Sequence, residues 1–205
     1  DAARAQRREA ERAAEAARNE AARVGADLAA VNQYLRASES APGGARALSE
    51  QLRVEPGYEL ALAAALGPRL GAGVVESVGD GERLLDGAGD EGGHVLVAGA
   101  SGAAADDAAP AADAERLLDR VAADGPAAEL ARRLLAGVWV VESLAAVPEG
   151  FAGVAVTRAG RVWRPAAGDL RQAPAGGAER VLEQRNRRDE LVAVSERAIQ
   201  AETEA

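Results

Sequence analysis

Few residues in this chain have the type and spacing to do chemistry, and each candidate lacks the context its chemistry needs. Gly87 to Gly92, GAGDEG, matches the G-x-G-x-x-G spacing of a dinucleotide loop. Such a loop needs a strand before its glycines and a helix N-terminus after them, so that backbone N–H groups converge on the pyrophosphate. Here a short helical segment precedes and an apolar strand follows, while Asp90 and Glu91 would repel phosphate; the stretch reads as an acidic turn. His94 is the one histidine, which rules out a two-histidine metal site and makes any Ser-His pair depend on it. At the head of a Val-rich run it reads as a strand-end residue at or near a surface. Ser101 in AGASGA lacks the nucleophile elbow. Asp80, Glu82, Asp86, Asp106 and Asp107 have no histidine support and read as solvated charge. The expectation is a non-enzymatic chain.

Composition narrows the classes further. There is no Cys, which removes disulfides, thiolate zinc sites and a Cys nucleophile. All 24 basic residues are Arg, so there is no P-loop lysine, Schiff-base lysine or lysine general base. No apolar run approaches the roughly 20 residues of a membrane span, and no signal peptide opens the chain. Residues 37–177 hold 12 Arg against 20 Asp and Glu, which argues against a broad DNA-binding face on that body. The local exception is QRNRRDE, where Arg185, Arg187 and Arg188 offer either a solvated helix face or a contact to nucleic acid.

The elements that must position any function begin with a long helix. Residues 1–36 have no Pro and one Gly, and Ala10, Ala14, Ala17, Ala21, Val24, Leu28, Val31 and Leu35 follow a heptad seam. At 1.5 Å per residue that helix is about 54 Å long. A second Pro-free stretch runs from Gly177 to the end, with Val181, Leu182, Leu191, Val192 and Ile199 apolar and two registers open. Polar helices of this length are marginal without packing, so the two are expected to pair antiparallel, leaving residues 37–176 as an insert; two independent solvated helices are the alternative. The chain opens without Met and looks helical at both ends, so it reads as a piece of a longer protein.

Within the insert the sequence predicts helices at GGARALSEQL (43–52), YELALAAAL (58–66), GERLLDG (81–87), AERLLDRVAA (114–123) and PAAELARRLLAG (126–137). Strands are expected at 72–78, 94–100 and 138–144, with a hairpin over 153–165 turning near Ala159-Gly160. A low-complexity stretch, 101–113, separates two halves. Helices interleaved with short strands give a mixed α/β (α+β) fold. VVESV at Val74–Val78 and VVESL at Val140–Leu144, each after a helix ending in Leu and Gly, suggest two related subdomains.

In its order of elements the chain resembles the hinge of bacterial Structural Maintenance of Chromosomes (SMC) proteins. VEPGYELALAAALGPRL followed by Val74, Val75 and Glu76 is similar to that family's first-subdomain pattern, RRLLAGVWVVESL to its second. Val156, Thr157, Gly160, Gly168, Gly176 and Gly177 match its closing Val-Thr and glycine series. The resemblance spans about residues 43–177. Three features depart from it: DEGGHVLVAG stands where many bacterial members carry a basic-aromatic segment, 101–113 is acidic and Ala-rich, and Leu70-Gly71 replaces a Leu-Gln.

The resemblance implies a globular domain of two related subdomains inserted between antiparallel coiled-coil helices, divided as arm 1–40, subdomain I 41–105, subdomain II 106–177 and arm 178–205. It implies homodimerisation through strands from opposite subdomains, with Val154, Val156, Thr157, Gly160, Arg161, Trp163, Gly168, Gly176 and Gly177 on one side and Val95 and Val97 on the other. The physical reasons are that unpaired strand edges accept a further strand and that glycine permits close backbone approach; a turn within each protomer is the alternative role of Gly160 and Gly168. No cofactor is expected in this part; ATP and Mg belong to a head domain outside it. Expected partners are a second copy and, through Arg185, Arg187 and Arg188, DNA, at a cytoplasmic, nucleoid-associated location and in a condensin-type role in chromosome condensation and segregation.

Overall fold

The computed structural model describes residues 2–38, 41, 44–89, 92–99, 108–174 and 176–204. Asp90, Glu91, Ser101, Asp106 and Asp107 lie outside the described residues. The chain divides into two compact units, Asp1–Ser38 with Gln184–Ala205, and Glu39–Glu183. Among the described residues no helix is long and apolar enough to cross a membrane.

The first unit is made by α1 (Ala2–Ala37) and all but the opening turns of α5 (Ala178–Glu204). Ala14, Ala17, Ala21 and Leu28 are half-buried and Val24, Val31 and Leu35 buried, which is the heptad seam read from the sequence. On α5 the structure chooses between the two registers. Leu191 is buried and Arg185, Arg188, Ser195 and Ala198 are half-buried along its line, while Val192 and Ile199 are exposed. The outer faces carry Arg7–Glu11 (2.8 Å) and Arg23–Glu20 (2.5 Å) pairs at helical spacing.

The second unit is mixed α/β. β1 (Leu52–Val54) pairs antiparallel with β5 (Val121–Ala123), and β2 (Gly73–Val75) pairs parallel with β3 (Val95–Val97). Five strands form the remaining sheet in the order β4 (Glu115–Arg116), β6 (Val138–Val140), β7 (Val154–Val156), β8 (Arg161–Arg164), β9 (Asp169–Gln172). The helices are α2 (Glu59–Leu66), α3 (Val78–Ala88) and α4 (Gly125–Leu134). α2 is the central one. Seven of its eight residues are buried, so its Ala/Leu composition is that of a helix covered all round.

The VVES echo is structural. Each copy ends a strand that is followed by a parallel partner: β2 leads through α3 to β3, and β6 leads through a 3-10 turn at Leu144–Ala146 to β7. The serines do the same work in both, Ser77 accepting from the Asp80 N–H and Ser143 from the Ala145 N–H. Upstream, β1 enters α2 as β5 enters α4; α2 is capped by Gly67 (φ 55°), whereas α4 is capped by Leu135, and Gly137 (φ 65°) follows in the turn before β6. Two related halves therefore meet along the β1–β5 pair.

Three expectations need correction. Of the helix expected over 43–52, the described residues 44–52 form no α-helix; a 3-10 turn at Leu48–Glu50 leads into β1, where Leu52 and Val54 are buried and Arg53 is exposed, a period of two. Residues 114–123 are not helical either. β4 and β5 belong to different sheets, and a 3-10 turn at Leu117–Arg120 must redirect the chain between them within four residues. The strand at 72–78 stops at Val75 because Ser77 caps α3 and Val78 is its first residue, exposed to solvent. His94 is exposed at the head of β3, as expected.

Candidate dimer interface

Six strands, β1, β2, β3, β4, β5 and β9, have a described strand neighbour on one side alone, and β9 and β3 are among them. β9 is the last strand of the five-stranded sheet, and β3 pairs with β2 alone. In β9 the Ala173 N–H donates to the Gly160 carbonyl at 2.8 Å. By antiparallel alternation Arg171 and Asp169 then bond to β8, and the backbone groups of Leu170 and Gln172 point away. In β3, the His94 carbonyl accepts from Gly73 and the Ala98 N–H donates to Val75, which leaves the backbone groups of Val95 and Val97 on the open side.

β9 is fixed by side chains as well as by its ladder. The Arg171 guanidinium donates to the Ala64 carbonyl and that of Arg164 to the Ala65 carbonyl, both at 3.3 Å. These carbonyls sit in the last turn of α2, where no intrahelical donor remains. Asp169 braces both arginines, 2.9 Å from Arg164 and 4.0 Å from Arg171. On the opposite face, the ladder Arg116–Trp139–Ala155–Trp163–Leu170 crosses all five strands. Phe151, Leu144 and Val147 cover its middle, whereas Trp163 is half-buried and Leu170 is 64% exposed.

At the other end of the sheet Tyr58 anchors α2. The guanidiniums of Arg158 (4.3 Å) and Arg120 (5.3 Å) both lie over its ring, and its hydroxyl donates to Glu115 while accepting from Arg158. Arg120 also pairs with Glu55 at 3.0 Å and Glu115 at 3.1 Å. The hydrogen bond from Tyr58, ahead of the neighbouring guanidiniums, holds the Glu115 carboxyl below its ordinary range. The same bond raises the Tyr58 hydroxyl, and the bond to Glu55 raises Arg120.

A family model for the flexible hinge domain of SMC proteins matches residues 41–147, more than half of the chain. The chain belongs to the SMC hinge family. Three solved structures share its fold. The Geobacillus stearothermophilus SMC hinge domain, crystallised as an asymmetric dimer, superposes with a TM-score of 0.67 at 18% identity, over 93% of this chain and 94% of that one. The Pyrococcus furiosus Smc hinge with an extended coiled coil gives 0.55 at 20% identity, over 98% and 84%. The Pyrococcus furiosus hinge domain gives 0.52 at 20%, over 80% and 90%. Among curated proteins, none matches the sequence.

Set on this hinge, the residues singled out from the sequence separate into groups. Val154, Val156 and Thr157 lie on or just past β7, and Arg161 and Trp163 on β8; each of these strands has a neighbour on both sides, so neither hairpin strand is an edge. Val156 and Thr157 are buried, Val154 and Trp163 half-buried, Arg161 exposed. Gly160 closes the hairpin at φ 81°, and a Cβ built on it would stand 2.7 Å from Leu60 Cγ in the same chain. Gly168 ends the turn between β8 and β9, and Gly176 and Gly177 donate their N–H groups to Glu179 at the start of α5. Val95 and Val97 are half-buried on the open side of β3.

The edge strand β9 was not read from the sequence. Only Leu170 in Asp169–Gln172 is apolar and it faces outward, so no alternation marks the strand. Of the arginines considered for DNA, Arg187 pairs with Glu190 at 3.4 Å and Arg188 with Asp189 at 2.9 Å along the same helix, and Arg185 is half-buried.

Proposed function

We propose that this hinge is a homodimerisation module in which β3 of one copy adds to β9 of the other, twice, about a two-fold axis. The observation that carries it is the open edge of β9, flanked by the exposed Leu170 and the half-buried Trp163, together with an open edge on β3 in the other half of the chain. Each offers the outward backbone groups of two alternate residues: Val95 and Val97, Leu170 and Gln172. Unpaired edges invite strand addition, and two complementary edges on one molecule suit a closed, self-matching pair. The exposed Leu170 and half-buried Trp163 beside β9 would add apolar contact. The dimeric state of the Geobacillus relative supports the reading.

In that reading the residues of the hairpin and its glycines shape and brace the sheet that presents β9. The dimer would join two coiled-coil arms of a chromosome-organising ATPase into a V or ring, with ATP and Mg held at a head domain and no cofactor in the hinge. Sedimentation equilibrium tests it. The wild-type chain should reach a dimeric mass at micromolar concentration, and Val97→Pro, which removes an edge N–H, should shift the equilibrium to monomer. A wild-type monomer, or a dimer indifferent to Val97→Pro, would overturn it.

A further inference from the structure

We infer that Arg133 is a guard on the β3 edge, competing with strand addition and released through Glu129; the inference rests on the strand-pairing reading of the dimer. Arg133 lies in the last turn of α4, and its Nη2 donates to the Val97 carbonyl at 2.9 Å. That carbonyl is one of the groups on the open side of β3. A strand arriving there needs it as an acceptor, and a charge placed on an edge blocks such arrival.

The guanidinium has a second resting place. Glu129 is one helical turn earlier on α4, exposed, and without an ion pair among the described residues. Glu four residues before Arg is the favoured order for a pair along a helix. Glu129, Arg132, Arg133, Ala98 and Gly99 line one open cavity of about 330 Å³ beside the end of β3, so the side chain has room to turn between the two acceptors. With Arg133 on Val97 the edge is one acceptor short; with Arg133 on Glu129 all of its outward groups are available. The exchange trades one charge-assisted hydrogen bond for another and leaves the fold unchanged.

Removing the guard should therefore tighten the dimer, the reverse of what loss of an ordinary interface residue does. The dimer dissociation constant of the 205-residue chain would be measured by sedimentation equilibrium for wild type, Arg133→Met, Glu129→Gln and the double variant, with helical content checked by circular dichroism. One competing hydrogen bond corresponds to a factor of about 2 to 10, and with one guard at each of the two strand pairs the dimer constant changes by about 4- to 100-fold. Arg133→Met is expected to lower the constant by that factor, Glu129→Gln to raise it, and the double variant to match Arg133→Met. A dimer whose affinity is unchanged or weakened by Arg133→Met, or on which Glu129→Gln still acts when Arg133 is gone, overturns the guard alone. A monomeric mass for all four overturns strand pairing and the guard's role together.

Discussion

The guanidinium of Arg171, on the edge strand β9, donates to the carbonyl of Ala64 in the last turn of the buried helix α2. One side chain thus ties the proposed interface strand to the core of the hinge, and Arg164 on β8 repeats the tie to Ala65. Loss of a partner for a helix-end carbonyl costs about 0.5 to 1 kcal/mol. Arg171→Ala should lower stability by that amount in denaturant unfolding and speed amide exchange in β9 ahead of β6 and β7. Uniform exchange across the sheet would show that Arg171 does not hold the strand.

Gly160 carries a backbone constraint and a packing constraint at one position. Its φ of 81° disfavours a side chain, and a Cβ would meet Leu60. Gly160→Ala should destabilise the chain by about 1 to 3 kcal/mol. A companion Leu60→Ala in the Gly160→Ala background should restore less than the whole loss, since it relieves the contact and leaves the strained φ. Full restoration in thermal unfolding would assign the cost to crowding alone.

The Tyr58–Glu115 pair sets a pH dependence whose sign follows from the directions of the two shifts. Glu115 is held below its ordinary 4.5, so its contribution is complete above that value and fades as pH falls through the folded-state value. Tyr58 is raised above its ordinary 10.0, so its contribution persists up to that pH and fades as pH climbs further. Glu115→Gln should be less stable than wild type at neutral pH, with the gap narrowing below pH 4.5. Two stability curves running parallel through the acid limb would contradict this assignment.

How far the sequence could be read depended on where each residue's environment is local. Heptad spacing in α1 needs only helical geometry, and Val24, Val31 and Leu35 are buried as that spacing requires. The VVES echo was readable because strand, capping Ser and crossover are contiguous. β1, β4 and β5 were hidden because Ala, Leu, Glu and Arg favour helix, and pairing between Leu52–Val54 and Val121–Ala123, some seventy residues apart, overrides that preference. In the sequence Tyr58 only heads the Ala/Leu helix; its contact with both Arg120 and Arg158 depends on three separate segments meeting. β9 has no alternation to mark it, so the sequence points to the hairpin strands as the free ones, whereas they lie inside the sheet and β9 at its edge. Arg133 on Val97 is a contact across 36 residues that no local pattern announces.

The pairing of β3 with β9 between two copies is tested most directly by cross-linking, since the chain has no cysteine of its own. Val95→Cys or Val97→Cys in one preparation would be mixed with Leu170→Cys or Gln172→Cys in another and oxidised, covering both residues on each edge. A covalent product of twice the 20.9 kDa chain mass, formed in the mixture beyond what either variant gives alone, is the predicted result. Failure of every combination to cross-link, in variants that remain dimeric, would contradict the β3–β9 interface.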